Sequence, residues 1–464
     1  METTFPGVLA FAFLALMLLV GTVARARIPF LGNALVPACL IGGIVGFVLL
    51  ALGLGLDFES GDFTVFTFHF FTLSFMSLCL TGSAPGASTS VFWGGSWLTV
   101  VWTMSLVLQA LVGLVVILGY NMATDGGLSA YLGMLVTHGF TQGPGQALAI
   151  GSIWETELGI EKAINFGLIY ASVGFVVAFA IGVPVARAAV RKGLNANQAA
   201  RIDDEFVSGV LLESTELSAG KQITHPANVD SLAFHLSILG IAYLVTDAYL
   251  DFMQPLAGGT TLLGVNLGII FSHNLFFFHG LMVCVILRAL MDRFGLGRFI
   301  DNETQRRITG SAVDFMVVAT LMSIEFALLW TYIVPIMLVC LAVAGTTAAL
   351  CFGFGRQLSS LGIERSLTAF GCCCGSTGSG LVLLRILDPS LSTPIAKELA
   401  FFNVAILVVS SHILMFMAPV LPSFGLGTVV AVYCGTFVVG AVAMLAIARR
   451  VGPTSSDSTA VDSF

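Results

Sequence analysis

The chain has 464 residues, of which 57% are hydrophobic and 10% charged, and its mean hydropathy is +0.98. A soluble domain carries about 25% charged residues, and no aqueous core hides so much apolar surface, so the composition excludes a soluble globular protein and indicates one that crosses a membrane several times. The net charge of −7 comes mostly from short connecting segments, which excludes an acidic tail or a nucleic-acid surface.

Apolar runs long enough to cross a bilayer, roughly 20 residues, fall near 5–24, 33–54, 63–81, 97–119 and 163–187. The first is expected to be a span with its N-terminus outside rather than a signal peptide: Met1 to Thr4 hold a Glu and no Lys or Arg, while Arg25 and Arg27 follow the apolar run. Residues 193–230 are polar and predict a cytoplasmic connecting loop. Five more spans are expected near 231–250, 262–287, 311–329, 333–354 and 397–418, and an additional one near 425–448 within residues 421–450. A Ser/Thr-rich stretch, 451–464, reads as a disordered cytoplasmic tail. With eleven spans and the N-terminus outside, 17 of the 19 Lys and Arg fall on the inner side; only Lys162 lies outside, and Arg385 is ambiguous.

Two stretches do not read as ordinary spans: Thr137 to Gly151 and Gly371 to Leu387 are too short and too glycine-rich for a lipid-facing helix. Backbone amides survive at membrane depth only inside protein or against a cavity, so re-entrant hairpins are expected over 128–152 and 366–388. Gly139 follows Phe5 by 134 residues and Gly371 follows Ser231 by 140. The expected fold is therefore all-α, with two inverted five-helix repeats (1–192 and 231–420), each carrying one glycine-rich hairpin, plus the additional C-terminal helix. Paired interruptions of this kind point to a transporter's binding site; close helix packing through small residues is the alternative. The nine cysteines lie almost entirely in apolar stretches and give no disulfide framework. Cys372, Cys373 and Cys374 are consecutive, which suits packing and not a tetrahedral metal. No H-E-x-x-H, P-loop or triad is present, so no enzyme is indicated. A channel would need a regularly polar-lined helix, which is not seen.

Several pieces resemble the bacterial sodium/glutamate symporter family. Leu35 to Gly43 (LVPACLIGG) looks like its second-helix motif, Val107 to Gly113 (VLQALVG) its fourth-helix Gln motif, and Tyr131 to Ala147 its first glycine-rich loop. Gly182 to Gly193 (GVPVARAAVRKG) closely resembles its fifth-helix end. Phe271 to Asn274 (FSHN) and Gly371 to Gly380 (GCCCGSTGSG) are similar to a later helix motif and the second loop. The resemblance covers about residues 5–420 and implies a homodimer in the bacterial inner membrane that carries glutamate or a related small carboxylate with Na⁺ as coupling ion, by alternating access and without a cofactor. The chain departs from the family pattern at Gln142, Pro144 and Gln146, at the three cysteines, and in the additional span. Proton coupling of an organic anion is the alternative within transporters.

An anionic substrate at membrane depth needs oriented amides and hydroxyls. Gly375, Ser376, Thr377, Gly378, Ser379 and Gly380 supply them in the second hairpin, with glycines that let backbone N–H groups approach an anion. Arg385 either pairs with a carboxylate or snorkels from the hairpin end. In the first hairpin Thr137, Thr141, Gln142, Gly143, Gly145 and Gln146, with Asn165 nearby, offer neutral oxygens suited to Na⁺. His412 either relays protons or is hydrogen-bonded between helices.

Overall fold

The computed structural model describes residues 5–81, 89–124, 126–198, 200, 202, 204–211, 220–225, 227–262 and 265–451. The expected tail at 451–464 lies, apart from Val451, outside the described residues. In chain order the helices are α1 (Phe5–Arg27), α2 (Pro29–Asn33), α3 (Ala38–Ala51), α4 (Gly61–Leu80) and α5 (Thr89–Thr124). Next come α6 (Ala130–Met134), α7 (Val136–Phe140), α8 (Pro144–Thr156), α9 (Ala163–Arg191) and α10 (Asp204–Ser208). The second half has α11 (Ser231–Ala257), α12 (Phe276–Arg293), α13 (Asn302–Met322), α14 (Phe326–Thr331) and α15 (Ile333–Gly355). It ends with α16 (Gly362–Cys374), α17 (Thr377–Leu387), α18 (Ile395–Val409) and α19 (Leu426–Ala448).

Among the described residues, eight helices are long and apolar enough to cross a membrane, or nine when α18 and the segment His412–Ser423, bent from it by 48°, count as one. The remaining two expected spans are helices of another kind. The 33–54 run yields only the 14-residue α3, because Leu35 adopts a left-handed backbone (φ 52°) and Pro37 cannot join a preceding turn. In place of 311–329 stands α13, which begins at Asn302 because Asp301 caps it by accepting the Thr304 N–H. Its first turns carry Glu303, Arg306 and Arg307, which apolarity alone does not mark. The 262–287 run begins late: a two-residue β-ladder (Thr261–Leu262 with Val265–Asn266) and 3₁₀ turns capped by Asn266 precede α12. That ladder is the one exception to an all-helical chain among the described residues.

The helices form two compact units, and each half of the sequence gives its first helices to one and its later helices to the other, except that 148–158 of the first half returns to the first unit. The first unit takes 1–82 and 205–326, three main helices from each half, together with 148–158. In it α1 packs on α3, α3 and α4 pack on α13, and α12 packs on α4 and α11. Small residues bring these helices close: a Cβ at Gly42 would stand 2.1 Å from the Met17 carbonyl oxygen, and Gly43 and Gly46 receive Leu321 and Met322. Met76, Leu239, Phe276 and Cys284 form its core.

The second unit takes 83–147, 159–204 and 327–464. Its centre is α5, against which α15, α18 and α19 pack, while α9 carries α7, α16 and α17.

Candidate functional site

Both glycine-rich stretches break their helices inside the second unit. In the first, α6 and α7 descend along α5: a Cβ at Gly133 would lie 2.2 Å from the Gly113 carbonyl oxygen, and the Thr137 hydroxyl donates to the Leu106 carbonyl at 2.6 Å. Gly143 then takes φ +92°, a conformation that favours glycine. There the chain turns back, because Phe140 reaches Gly174 of α9, whereas Ala147 lies against Gly167, about 10 Å back along that helix. The rest of α8, from Leu148, belongs to the first unit.

The second break is tighter. Helices α16 and α17 fold on each other through Gly371 and Gly380; a Cβ on Gly371 would lie 2.7 Å from the Gly380 Cα. Between them Gly375 and Ser376 leave the helix, and the Ser376 hydroxyl caps α17 by accepting the Ser379 N–H at 3.4 Å. The Thr377 hydroxyl donates to Asn403 Oδ1 of α18 at 2.9 Å.

The two turns converge on one side chain. Gln109, at the middle of α5 and fully buried, accepts from the Thr141 hydroxyl at 2.5 Å. Its amide nitrogen lies 2.8 Å from the Cys373 carbonyl oxygen, 3.0 Å from Thr347 Oγ1 and 3.2 Å from Ser105 Oγ. A second junction lies on α9, where a Cβ at Gly174 would meet the Cys374 carbonyl oxygen at 2.3 Å and Phe140 at 3.3 Å. The Trp102 indole N–H donates to the Thr141 carbonyl at 3.2 Å. Gln142 and Gln146 are buried beside this turn, and Gln142 Nε2 and Ser172 Oγ make no hydrogen bond with described residues. Every donor and acceptor named at these turns is neutral. Such groups suit a small cation through their oxygens and a carboxylate through their N–H and O–H groups.

Two expected site residues lie farther from the Gln109 junction. Asn165 is in the first turn of α9, about 13 Å along the axis from Gly174 but two residues from Gly167, against which Ala147 packs. Arg385 is exposed near the end of α17, where the Leu387 carbonyl accepts from Asn195 at 3.1 Å.

Away from the turn, the base of the second hairpin holds the charges that sequence reading missed. Arg365, expected in an inner loop, is buried in the first turns of α16 and pairs bidentately with Glu398 of α18 at 2.6 and 2.8 Å. A third bond runs to the Ser360 carbonyl at 2.8 Å. Gly94 of α5 makes room for the Glu398 carboxylate, which a Cβ would meet at 2.1 Å. Buried Glu364 accepts the Ala196 N–H at 2.6 Å. Asp388 accepts from Asn197 at 2.9 Å and from the Ser392 and Thr393 backbone N–H groups at 3.1 and 2.8 Å. Burial pushes the Asp388 carboxyl up, but bonds from Thr393, Asn197 and Ser392 outweigh it and hold the group below the usual carboxylate range.

The sequence model of one protein family, Sodium/glutamate symporter, matches residues 4–381. The match takes in both turns and ends within α17, so α18 and α19 lie beyond it. No curated protein matches the chain.

Proposed function

Because the chain belongs to the sodium/glutamate symporter family, we propose that it carries glutamate or a related small carboxylate together with Na⁺, and that both lodge at the paired turns of the second unit. Membership makes it a multi-pass, sodium-coupled transporter; the substrate, the site and the cycle are the proposal. The observation that carries it is Gln109, whose single amide touches both turns, so that occupancy of one is felt at the other.

Thr137, Thr141, Gln142, Gly143, Gly145 and Gln146 serve the ion through hydroxyl, amide and carbonyl oxygens. Gly375 to Gly380 serve the carboxylate through backbone N–H groups and the hydroxyls of Ser376, Thr377 and Ser379. Asn165 stands on α9 two residues from Gly167, against which Ala147 packs, and Arg385 lies exposed near the end of α17. The equivalent division of the two halves supports a pair of inverted repeats whose broken segments are re-entrant. With both turns in one unit, alternating access follows from movement of that unit. A homodimer in the bacterial inner membrane, with the N-terminus outside, completes the proposal on the family resemblance.

Purified protein in liposomes is expected to accumulate labelled L-glutamate or another small carboxylate under an inward Na⁺ gradient. Equal accumulation with choline in place of Na⁺ overturns sodium coupling, and accumulation that follows an imposed pH gradient instead assigns the coupling to protons.

A further inference from the structure

Basic residues stand at both ends of α9: Arg187 and Arg191 in its final turns, and Lys162, beside Glu161, just before its first. At the Lys162 end lies a cavity of about 540 Å³. Its wall includes Tyr120, Ser129, Glu161, Lys162, Thr331 and Tyr332, together with the chain at Gly126 and Gly127. A volume of this size suits a small organic solute with some of its water.

Lys162 is held on this wall by more than chance. Its backbone takes φ +67°, a left-handed conformation unfavourable to a residue with a Cβ. Its ammonium group donates to the Tyr332 hydroxyl at 2.7 Å and stands 4.8 Å from the centre of that ring, whose other neighbour is Phe166 at 5.4 Å. The hydroxyl bond raises the lysine's pKa, so the group is fully cationic at neutral pH. Next to it on the same wall, Glu161 supplies a negative charge. Among the described residues the wall carries one cation and one anion; it repels neither end of a zwitterion, whereas a plain dicarboxylate gains at Lys162 and loses at Glu161.

We propose that this cavity is an encounter site for an α-amino acid zwitterion, with the α-carboxylate on Lys162 and the α-ammonium on Glu161. Its place in a transport cycle rests on the function proposed above; its chemistry does not. The groups are exposed, so binding is weak, does not require Na⁺ and governs capture rather than turnover.

The chain has four lysines, Lys162, Lys192, Lys221 and Lys397, so acetylation by an N-hydroxysuccinimide ester, followed by mass spectrometry, reads each one separately. The full-length protein in detergent and sodium-free choline buffer is the sample. With about 10 mM probe and a Kd in the millimolar range, L-glutamate and L-glutamine are each expected to slow Lys162 acetylation about threefold relative to Lys192, Lys221 and Lys397, a ratio that cancels the ester consumed by the probes' own α-amines. Glutarate, which lacks the ammonium, is expected to slow it far less, and Glu161→Gln should make L-glutamine and glutarate alike. Lys162 acetylation unchanged by all three probes overturns the site. Glutarate protecting as well as L-glutamine in the unaltered protein reduces it to a plain anion site and overturns the zwitterion assignment. The sodium-driven uptake assay separates this from the turns: protection without uptake removes the transport reading alone, and uptake without protection removes this site alone.

Discussion

The two ends of the second hairpin are held by opposite kinds of chemistry. At its base, charged-type side chains are buried and bonded: Arg365 pairs with Glu398, and Glu364 and Asp388 accept from neutral N–H groups of the segment after α9. At its turn, the contacts are a carbonyl on the Gln109 amide and a hydroxyl on Asn403, all neutral. A buried ion pair that loses one partner leaves an uncompensated charge, whereas a neutral hydrogen bond inside a membrane protein is worth about 0.6 kcal/mol on average. The base is therefore fixed and the turn exchangeable, which is what a segment needs if only its tip is to release a solute.

The most severe way to break this contrast is Arg365→Met, which leaves the Glu398 carboxylate buried and alone. A loss of about 3–5 kcal/mol is expected, read as a collapse of folded yield and melting temperature in detergent. Arg365→Met combined with Glu398→Leu should recover most of it. A single variant no worse than the double would show that charge does not fix the base. Less severe is Gln109→Leu at the turn. It is expected to shift stability by no more than about 1–2 kcal/mol, yet to lower sodium-driven uptake about tenfold by separating the two turns. Unchanged uptake would remove Gln109 as their link.

The mildest test is Asp388→Asn, which sharpens the contrast by asking whether the base depends on ionisation. A carboxyl with a depressed folded pKa contributes stability above its unfolded value of about 3.9, and that contribution disappears as pH falls through the folded value. The variant should therefore melt about 2 °C lower from pH 8 to pH 5, and the gap should narrow only below about pH 4. A gap that closes between pH 7 and pH 5 would contradict a carboxylate held ionised by Asn197, Ser392 and Thr393.

What was legible in the sequence followed from hydropathy and backbone chemistry. Long apolar runs such as 5–24 and 425–448 emerged as α1 and α19 almost unchanged, because helix length follows bilayer thickness. Both glycine-rich breaks were visible because glycine and proline resist helix at membrane depth. Less legible were helices whose ends are set by single caps, as at Asp301, or whose polar first turns hide them from a hydropathy window. Arg365 and Glu398 were missed because each stands close to an apolar-run boundary and reads alone as an interface residue. Their need for each other appears only when α16 meets α18. Gln109 stood in the middle of an expected span, where a polar side chain is expensive, and that signal was there to be used.

Gly174 of α9 carries a genetic consequence. The atom that excludes a methyl group there is the carbonyl oxygen of residue 374, 2.3 Å from where a Cβ would be. That oxygen is present whatever side chain position 374 bears, so no second substitution can delete the obstacle. Exchanging Phe140 for something smaller relieves only the lesser contact at 3.3 Å. Position 174 is thus one whose loss is not relieved by changing the side chains it touches, because its main partner is the backbone itself.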